Sequence, residues 1–318
     1  MNILITGGEG FIGLRIKNIL EQQGHKVVTV DLQESADYTL DLSYAVTELT
    51  TCIVMNQIDV VCHMAALVGG GKYLAEEEWD ICKHNARVDL NVLDAFLKSR
   101  IPKRIVYCSS SMVFQNGFNT TCIEEDVDNY LIPPPTNNYG FTKLQGERFT
   151  RSLCKKYDRE FVIARPFNVY GPGEHEDTSD GTAHVIPDVF RRLMANPNEL
   201  YLYGNGQQTR SFTHADDVAR AFAMMCTTTD PECINTSLNV ASEENISIKN
   251  LAIMIARYLS IDVNQLAITH KPAWAGDTVQ RKPNTRKIRQ KLGWRPMKPF
   301  GVGLKENVEW LYKQRVEE

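Results

Sequence analysis

Short β-rich runs alternate with helical stretches through the first half of the chain. The runs that predict strands cover residues 3–6, 26–30, 60–63, 104–109 and 161–165, and the helical stretches cover residues 11–23, 82–99 and 141–157. Strands that alternate with helices form βαβ units, which build a parallel sheet covered on both faces. The pattern therefore predicts an α/β fold based on a doubly wound parallel sheet.

From about residue 169 this alternation loosens. The segments GPGEHEDTSDGTAH, PNEL, YGNGQQT and KPAWAGDTVQRKPN have the composition of loops. Two further helices are predicted at residues 216–225 and 302–315, and we expect the first to return to the sheet. The predicted domains are residues 1–168 with a returning segment at about 207–240, and a smaller α/β substrate domain of residues 169–206 and 241–318.

The overall composition argues against several classes of function. The 318 residues carry a net charge of −4, so no basic surface suggests a nucleic-acid partner. No apolar run approaches the roughly 20 residues that span a bilayer, and the N-terminus lacks the layout of a signal peptide. The eight cysteines include no CxxC pair and no zinc-site spacing, so we expect reduced thiols, no metal and a cytoplasmic location.

The stretch TGGEGFIG directly follows the first predicted strand and opens a predicted helix. In that context Gly7 and Gly10 allow the backbone to turn and approach a pyrophosphate, and Gly13 allows the helix to pack tightly on the sheet. The helix N-terminus offers free N–H groups and a partial positive charge to the phosphates. This loop therefore predicts a dinucleotide site.

Asp31 ends the second predicted strand, 18 residues after Gly13. A carboxylate at this place accepts hydrogen bonds from the adenosine ribose and repels a 2′-phosphate, which favours NAD over NADP. Asp41 and Leu42 are placed to flank the adenine, although Asp41 fits an ordinary loop acid equally well.

Tyr139 and Lys143 lie four residues apart in YGFTK, at the start of a predicted helix, so their side chains share one face. A tyrosine with a pKa of about 10 is a poor base at neutral pH. A lysine ammonium and a nearby nicotinamide cation both favour the phenolate and lower that pKa. Ser109, Ser110 and Ser111 follow another predicted strand, where such a triplet is otherwise typical of a turn.

Together these features resemble the extended short-chain dehydrogenase/reductases, specifically the NAD-dependent nucleotide-sugar epimerase/dehydratase family. The motifs that carry the resemblance are TGGEGFIG, Asp31, HMAA, HNARVDLNVLDA, SSSMV, YGFTK, RPFNVYGPG, GNGQQTRSFTHADDVARA and LGWRP. The resemblance implies a Rossmann domain that binds NAD, a nucleotide-sugar substrate and a homodimer.

The resemblance also implies roles for individual residues. Those implied to bind the cofactor are Gly7, Gly10, Phe11, Ile12, Gly13, Asp31, Asp41, Leu42, Ala65, Ala66, Asn85 and Lys143. The implied catalytic residues are Ser110, Tyr139 and Lys143, since the family's catalytic Ser or Thr lies three residues before the Val of its motif. Those implied to bind the sugar nucleotide are Ser111, Asn168, His184, Arg210 and Arg281.

The residues beside Ser110 limit which of the family's reactions the chain is expected to catalyse. The family's sugar 4,6-dehydratases carry an Asp-Glu pair where this chain has Ser111 and Met112, which disfavours dehydration. GDP-mannose 3,5-epimerases and GDP-fucose synthases resemble the chain at AALVGGG, HVIP and QTRSFTHADD. His184 matches an acid of the synthases, but Met112 replaces the cysteine that partners it, and a thioether cannot remove a proton.

We therefore expect a nucleotide-sugar epimerase that inverts C4 through a transient 4-keto intermediate. The alternatives are a 4-keto-sugar reductase, a 3,5-epimerase of the GDP-sugar type, and a non-catalytic nucleotide-binding regulator on the same fold. Residues 113–115 read VFQ instead of the family's V-Y-G, and Asn284 stands where an Asp is common, so we expect an atypical substrate pocket.

Overall fold

Strands and helices alternate along the chain as the hydrophobic pattern predicts. The computed structural model describes residues 1–114, 121–135, 137–174, 183–273 and 278–317. The strands are β1 Asn2–Thr6, β2 Lys26–Asp31, β3 Tyr38–Thr39, β4 Val60–His63, β5 Arg104–Cys108, β6 Thr121–Cys122, β7 Glu160–Pro166, β8 Val169–Tyr170, β9 Glu199–Tyr203, β10 Thr209–Ser211, β11 Thr213–His214, β12 Thr236–Val240, β13 Asn245–Ser247, β14 Ala267–Lys271 and β15 Lys282–Pro283. The helices are α1 Gly13–Gln22, α2 Val46–Met55, α3 Gly71–Glu76, α4 Glu78–Ser99, α5 Glu124–Asp128, α6 Asn138–Tyr157, α7 Val185–Ala195, α8 Ala215–Thr227, α9 Ile248–Tyr258, α10 Arg286–Leu292 and α11 Phe300–Glu317, with short 3₁₀ helices at Ser111–Phe114 and Pro231–Cys233.

The central sheet has seven strands in the order β3-β2-β1-β4-β5-β7-β12, and every neighbouring pair is parallel. This confirms the predicted doubly wound parallel sheet. The strand order reverses between β1 and β4, where Thr6 pairs with His63. In open sheets of this kind, ligands bind in the crevice outside the carboxyl ends of the strands at the reversal.

Alternate residues of the central strands point into two separate helical layers. Ile3 and Ile5 pack in a core with α1 and α8, whereas Leu4 packs in a core with α2, α4 and α6. Each fully buried side chain of this size contributes about 1.5–3 kcal/mol relative to exposure. The period-two division explains why the central strands read as nearly continuous apolar runs.

The second half of the chain contributes to two cores. Helices α7, α9 and α11 pack with β9 and β14 around Phe190, Leu251 and Leu304. The segment from α8 to β12 instead joins the central sheet, where β12 extends the edge beside β7 and α8 packs against α1. The predicted return therefore occurs, and the predicted helix of residues 216–225 is α8.

Several helices begin at residues other than those predicted, and for α1 and α6 the structure gives the reason. Helix α1 begins at Gly13 instead of residue 11, because the preceding glycine loop is a turn in which the Gly7 N–H bonds Val30. Helix α6 begins at Asn138 instead of residue 141, because the Asn137 side chain accepts from the Gly140 N–H at 2.6 Å and caps the helix. Tyr139 consequently lies in the first turn of α6.

All eight cysteines are free thiols. None of the helices in the described ranges is both long and apolar enough to cross a bilayer. Within the same ranges, no group of three or more His, Cys, Asp or Glu side chains is arranged to hold a metal ion.

Candidate active site

A cavity of about 620 Å³ opens at the carboxyl ends of β1, β2, β4 and β5 and is closed on its other side by residues from the second half of the chain. Nearly all the predicted site residues line it. They are Gly7, Gly10, Phe11, Ile12, Gly13, Asp31, Asp41, Leu42, Ala65, Ala66, Ser110, Ser111, Tyr139, Lys143, Asn168, His184, Arg210 and Arg281.

The glycine loop forms one end of this cavity. Gly7 has a φ of +68° and packs on the backbone of Ala65, at a distance where a Cβ atom would lie 2.9 Å from the Ala65 nitrogen. A Cβ on Gly13 would overlap the Gly7 carbonyl oxygen. No side chain caps the N-terminus of α1. Ile12 and Gly13, at this N-terminus, line the cavity, which is where binding of a pyrophosphate would need them.

Two acids line the cavity beyond this loop. The Asp31 carboxylate, at the end of β2, accepts hydrogen bonds from the backbone N–H groups of Glu9 at 3.0 Å and Leu32 at 2.7 Å. The Asp41 carboxylate accepts from the Ser43 hydroxyl at 2.6 Å, and this bond lowers the pKa of Asp41. Both positions suit the adenosine half of a dinucleotide, with the carboxylate of Asp31 at the strand end where a ribose binds.

Asn85 is the predicted cofactor residue that the structure does not bring to the cavity. It is buried in α4, where its side-chain oxygen accepts from the Leu67 N–H at 2.7 Å and its amide donates to the Leu67 carbonyl at 3.0 Å. Leu67 itself lines the cavity. Asn85 therefore holds a loop of the cavity wall in place, and the prediction of a direct cofactor contact is not supported.

Ser110, Tyr139 and Lys143 lie together in the cavity wall. The Ser110 hydroxyl lies beside Tyr139 and lowers its pKa, which opposes the larger effect of burial, and it accepts from the Met112 N–H at 3.1 Å. The Lys143 ammonium, one helical turn from Tyr139, donates to the Cys108 carbonyl at 2.9 Å. The end of β5 and the start of α6 thus bring a hydroxyl, a phenol and an ammonium to one place.

Burial and neighbouring charges shift the pKa values of Tyr139 and Lys143 in opposite directions. Burial raises the pKa of Tyr139, and the Lys143 charge opposes that rise without cancelling it. Burial lowers the pKa of Lys143, but the negative charges of Tyr139 and Asp89 outweigh it and the net pKa is raised. Lys143 therefore stays an ammonium and offsets part of the cost of a Tyr139 phenolate, and a nicotinamide cation would offset more.

The two arginines approach from the second half of the chain. Arg281 is buried and donates to the hydroxyls of Ser111 and Thr278, each at 3.2 Å, while its guanidinium also contacts the Met112 sulfur at 3.1 Å. Arg210 donates to the Thr278 carbonyl at 2.8 Å. These contacts hold two cations in the wall of the cavity.

Of two asparagines that the sequence singled out, one lines the cavity and the other does not. Asn168 adopts a φ of +31° between β7 and β8, and its amide donates to the Ser211 carbonyl at 3.0 Å. The Asn284 side chain instead accepts from the Arg286 N–H at the start of α10, and this bond stabilises the turn that precedes the helix. Asn168 belongs to the cavity lining and Asn284 does not.

A carboxylate that the sequence did not single out partners His184. Glu174 lines the cavity, is 4% exposed, and bonds the His184 Nδ1 atom at 2.8 Å. Burial lowers the pKa of His184, but the hydrogen bond and charge of Glu174 outweigh burial and the net pKa is raised. Glu174 lies in a stretch of loop composition, and nothing in the sequence marks it as the partner of a histidine ten residues later.

Parts of three predicted features lie outside the described residues, as does Thr136 in the PPPTNN segment before α6. The three are Gln115 of the VFQ departure, and residues 175–182 and 274–277 of the two long predicted loops.

The model of the NAD dependent epimerase/dehydratase family matches residues 3–241. GDP-mannose 3,5-epimerase 1 from Oryza sativa subsp. indica is 29% identical over 99% of this chain and 82% of its own length. The solved structure of a UDP-N-acetylglucosamine 4-epimerase from Methanobrevibacter ruminantium M1, in complex with UDP-N-acetylmuramic acid, is 26% identical with a TM-score of 0.83 over 98% of each chain. The structure of MoeE5 in complex with UDP-glucuronic acid and NAD is 26% identical with a TM-score of 0.84, covering 99% of this chain and 100% of MoeE5.

Proposed function

Because the chain belongs to the NAD-dependent epimerase/dehydratase family, we propose that it inverts C4 of a nucleotide-linked sugar through a transient 4-keto intermediate. The observation that carries the proposal is the Ser110–Tyr139–Lys143 group, which faces the same cavity as the glycine loop and two arginines. The similarity to a 4-epimerase over nearly the whole chain supports it.

The residues of the cavity fit NAD. The turn at Gly7, the close contact at Gly13 and the uncapped N-terminus of α1 would hold the pyrophosphate, and Asp31 would bind the adenosine ribose. Bound there, NAD would supply hydride transfer from and back to C4 of the sugar.

The protein's own side chains would then manage the proton and the charge. Tyr139, as the phenolate, removes the proton of the C4 hydroxyl and gives it back when the alcohol re-forms. Ser110 stabilises the oxygen by a hydrogen bond while its charge changes. Lys143 remains charged and favours the phenolate. Between the two half-reactions the 4-keto sugar turns within the cavity, so that its other face is presented.

The cations on the far wall suit the diphosphate of the substrate. Arg281 and Arg210 would neutralise phosphate charge, since a guanidinium can donate two parallel hydrogen bonds to phosphate oxygens. Asn168 and Ser111 would add polar contacts. This arrangement would hold the nucleotide while leaving the sugar free to turn.

A 3,5-epimerase is the second candidate, and a specific observation favours it. The His184–Glu174 pair lines the cavity, and GDP-mannose 3,5-epimerases are similar over 99% of the chain. Against it, Met112 carries no ionisable group, and burial raises the pKa of the Cys108 thiol to about 11. C4 inversion requires no proton abstraction from carbon, so it agrees better with these side chains.

Three features of the account remain predictions from the sequence. The division into residues 1–168 with 207–240 and residues 169–206 with 241–318 is one, and a cytoplasmic location is another. The third is a homodimer formed through α4 and α6. The outward-facing Leu90 and Phe141 on these helices, 48% and 44% exposed, are consistent with such a contact.

Proton NMR on a panel of UDP-, GDP-, dTDP- and CDP-sugars in heavy water, with no cofactor added, tests the proposal. A C4-inverted product without deuterium in the sugar ring is expected. Deuterium at C3 or C5 would instead support the 3,5-epimerase. Absence of turnover across the panel, followed by oxidation of NADH or NADPH with a 4-keto sugar, would support a reductase.

A further inference from the structure

A row of hydrogen-bonded, buried polar side chains lies behind the Tyr139–Lys143 pair and is not used in the proposed reaction. Asp89, on α4, is 2% exposed. One of its carboxylate oxygens accepts from the Tyr107 hydroxyl at 2.8 Å, and the other lies 3.1 Å from His63 Nε2. On the other side of the imidazole, His63 Nδ1 lies 2.7 Å from the Thr6 hydroxyl. These hydrogen bonds join the ends of β1 and β4 to α4.

The hydrogen bonds of this group favour one placement of the protons. The Thr6 hydroxyl oxygen accepts from the Ala65 N–H at 3.3 Å, so its own hydrogen is available to His63 Nδ1. Nε2 then carries the imidazole proton and donates it to Asp89. In this arrangement the Thr6 hydroxyl, the His63 Nε2–H and the Tyr107 hydroxyl each meet an acceptor, and both Asp89 oxygens accept a hydrogen bond.

Lys143 is the cation on the other side of Tyr107. Its ammonium lies 5.2 Å from the centroid of the Tyr107 ring, whose hydroxyl donates to Asp89. Helix α6 reaches this position because residue 146 is glycine: a Cβ there would overlap both the Tyr107 hydroxyl and the Asp89 carboxylate. The close approach of α6 to α4 therefore sets the spacing of Lys143 and Asp89.

The other titratable groups around the pair do not balance the Lys143 charge. Glu147, the next acid on α6, is held by Arg165 from β7 through bonds of 2.9 and 2.7 Å. The Cys108 thiol, on β5, has its pKa raised to about 11 by burial and is neutral at ordinary pH. Of the described acids near Lys143, Asp89 is the carboxylate without a guanidinium or ammonium in direct contact.

We propose that Asp89 is a positioning residue that serves as the buried counter-charge of Lys143 and so sets the pH range in which the Tyr139–Lys143 pair is active. The proposal rests on the function proposed above for that pair. The carboxylate has two effects: it keeps Lys143 an ammonium in a buried site, and it disfavours the Tyr139 phenolate.

Asp89→Asn removes the charge and keeps the shape. The amide oxygen can accept from His63, and the amide N–H groups can donate to the Tyr107 oxygen. Without the carboxylate charge, both Tyr139 and Lys143 are expected to titrate at lower pH, because Asp89 raises the pKa of each. If Asp89→Asn only disturbed the structure, activity would fall but its pH dependence would stay the same.

The test is a titration of Tyr139 in the NAD-loaded protein without a sugar. The ¹³Cζ resonance of labelled tyrosine reports ionisation, and Tyr139→Phe identifies the resonance. It should titrate at lower pH in Asp89→Asn than in the wild type, and at an unchanged pH in Asp94→Asn, a control at an exposed position of the same helix. An unchanged titration in Asp89→Asn would overturn the proposal.

A double-mutant cycle keeps the proposal testable if Asp89→Asn fails to fold. In urea unfolding, Lys143→Met and Asp89→Asn together should cost less stability than the sum of their separate losses, because each single variant leaves one buried charge unbalanced. A double variant that folds where Asp89→Asn does not would be equally supportive, whereas additive losses, or a double variant that also fails to fold, would refute the pairing. Neither measurement uses a sugar, so a protein that shows both effects but turns over no nucleotide sugar would contradict only the proposed function.

Discussion

The three consecutive serines after β5 have three different environments. Ser109 is buried and donates to Glu147 at 2.5 Å, Ser110 lines the cavity beside Tyr139, and Ser111 accepts from Arg281. The first fixes the end of β5 against α6, and the last connects it to the second half of the chain. The middle serine is thereby held with its hydroxyl beside the phenol.

Tyr139→Phe tests the residue on which the chemistry depends most. Loss of the phenol removes the general base, so kcat is expected to fall by about 10²- to 10⁴-fold, while NAD binding and the unfolding midpoint change little. Tyr157→Phe, on the exposed side of the same helix, is the control and should keep full activity. Unchanged turnover in Tyr139→Phe would rule out the assigned role.

Glu174→Gln tests the pair formed with His184. Because Glu174 raises the pKa of His184, its removal should move the His184 titration, followed by the proton NMR of the imidazole, to lower pH. By linkage, the stability from this pair is present below the ordinary histidine pKa and is lost as pH rises through the raised value. The variant should therefore lose stability at acidic pH and little at alkaline pH. Glu309→Gln, an exposed acid on α11, should leave the titration where it was.

At the scale of elements, the turn between β1 and α1 depends on the absence of side chains. Gly13→Ala would force the new methyl group against the Gly7 carbonyl. The expected cost is about 1–3 kcal/mol of stability, together with weaker NAD binding because the loop must move. Urea unfolding and titration calorimetry with NAD would measure the two effects.

Gly301→Ala is the matched control for that substitution. Its Cβ would lie 3.6 Å from the nearest atom, the Tyr258 hydroxyl, on a helix where alanine is favoured. We expect a gain of up to about 1 kcal/mol and unchanged NAD affinity. Equal effects of the two substitutions would show that the close contact at Gly13 is unimportant.

Across the molecule, the central sheet could be predicted from the sequence, whereas parts of the cavity could not. Apolar runs that alternate with helical stretches, and a glycine loop after the first strand, are local signals in the sequence. Both correctly predicted the central parallel sheet. Glu174 and Asp89 act through partners that only tertiary packing brings close, and the Asn85 side chain is hydrogen-bonded to Leu67 and is not among the residues that line the cavity. Strand β12 was missed because its sequence, TSLNV, contains only two aliphatic residues and it lies far along the chain from its neighbour β7.

The proposed homodimer is tested by charging the outer face of α4. Leu90→Asp should convert a dimer into a monomer in sedimentation, because an unpaired carboxylate is costly to bury in an apolar contact. Val302→Asp, at an exposed position of α11, should leave the dimer intact. A wild-type protein that sediments as a monomer would contradict the expectation.

The most direct test of the central claim uses the nucleotide sugar identified by the panel, carrying deuterium at C4. The purified protein is given this substrate in ordinary water without added cofactor, and the product is examined by NMR. We expect an inverted C4 that still carries its deuterium, because the same hydrogen leaves and returns within one cavity. An inverted product with hydrogen at C4, or inversion at C3 or C5 instead, would contradict it.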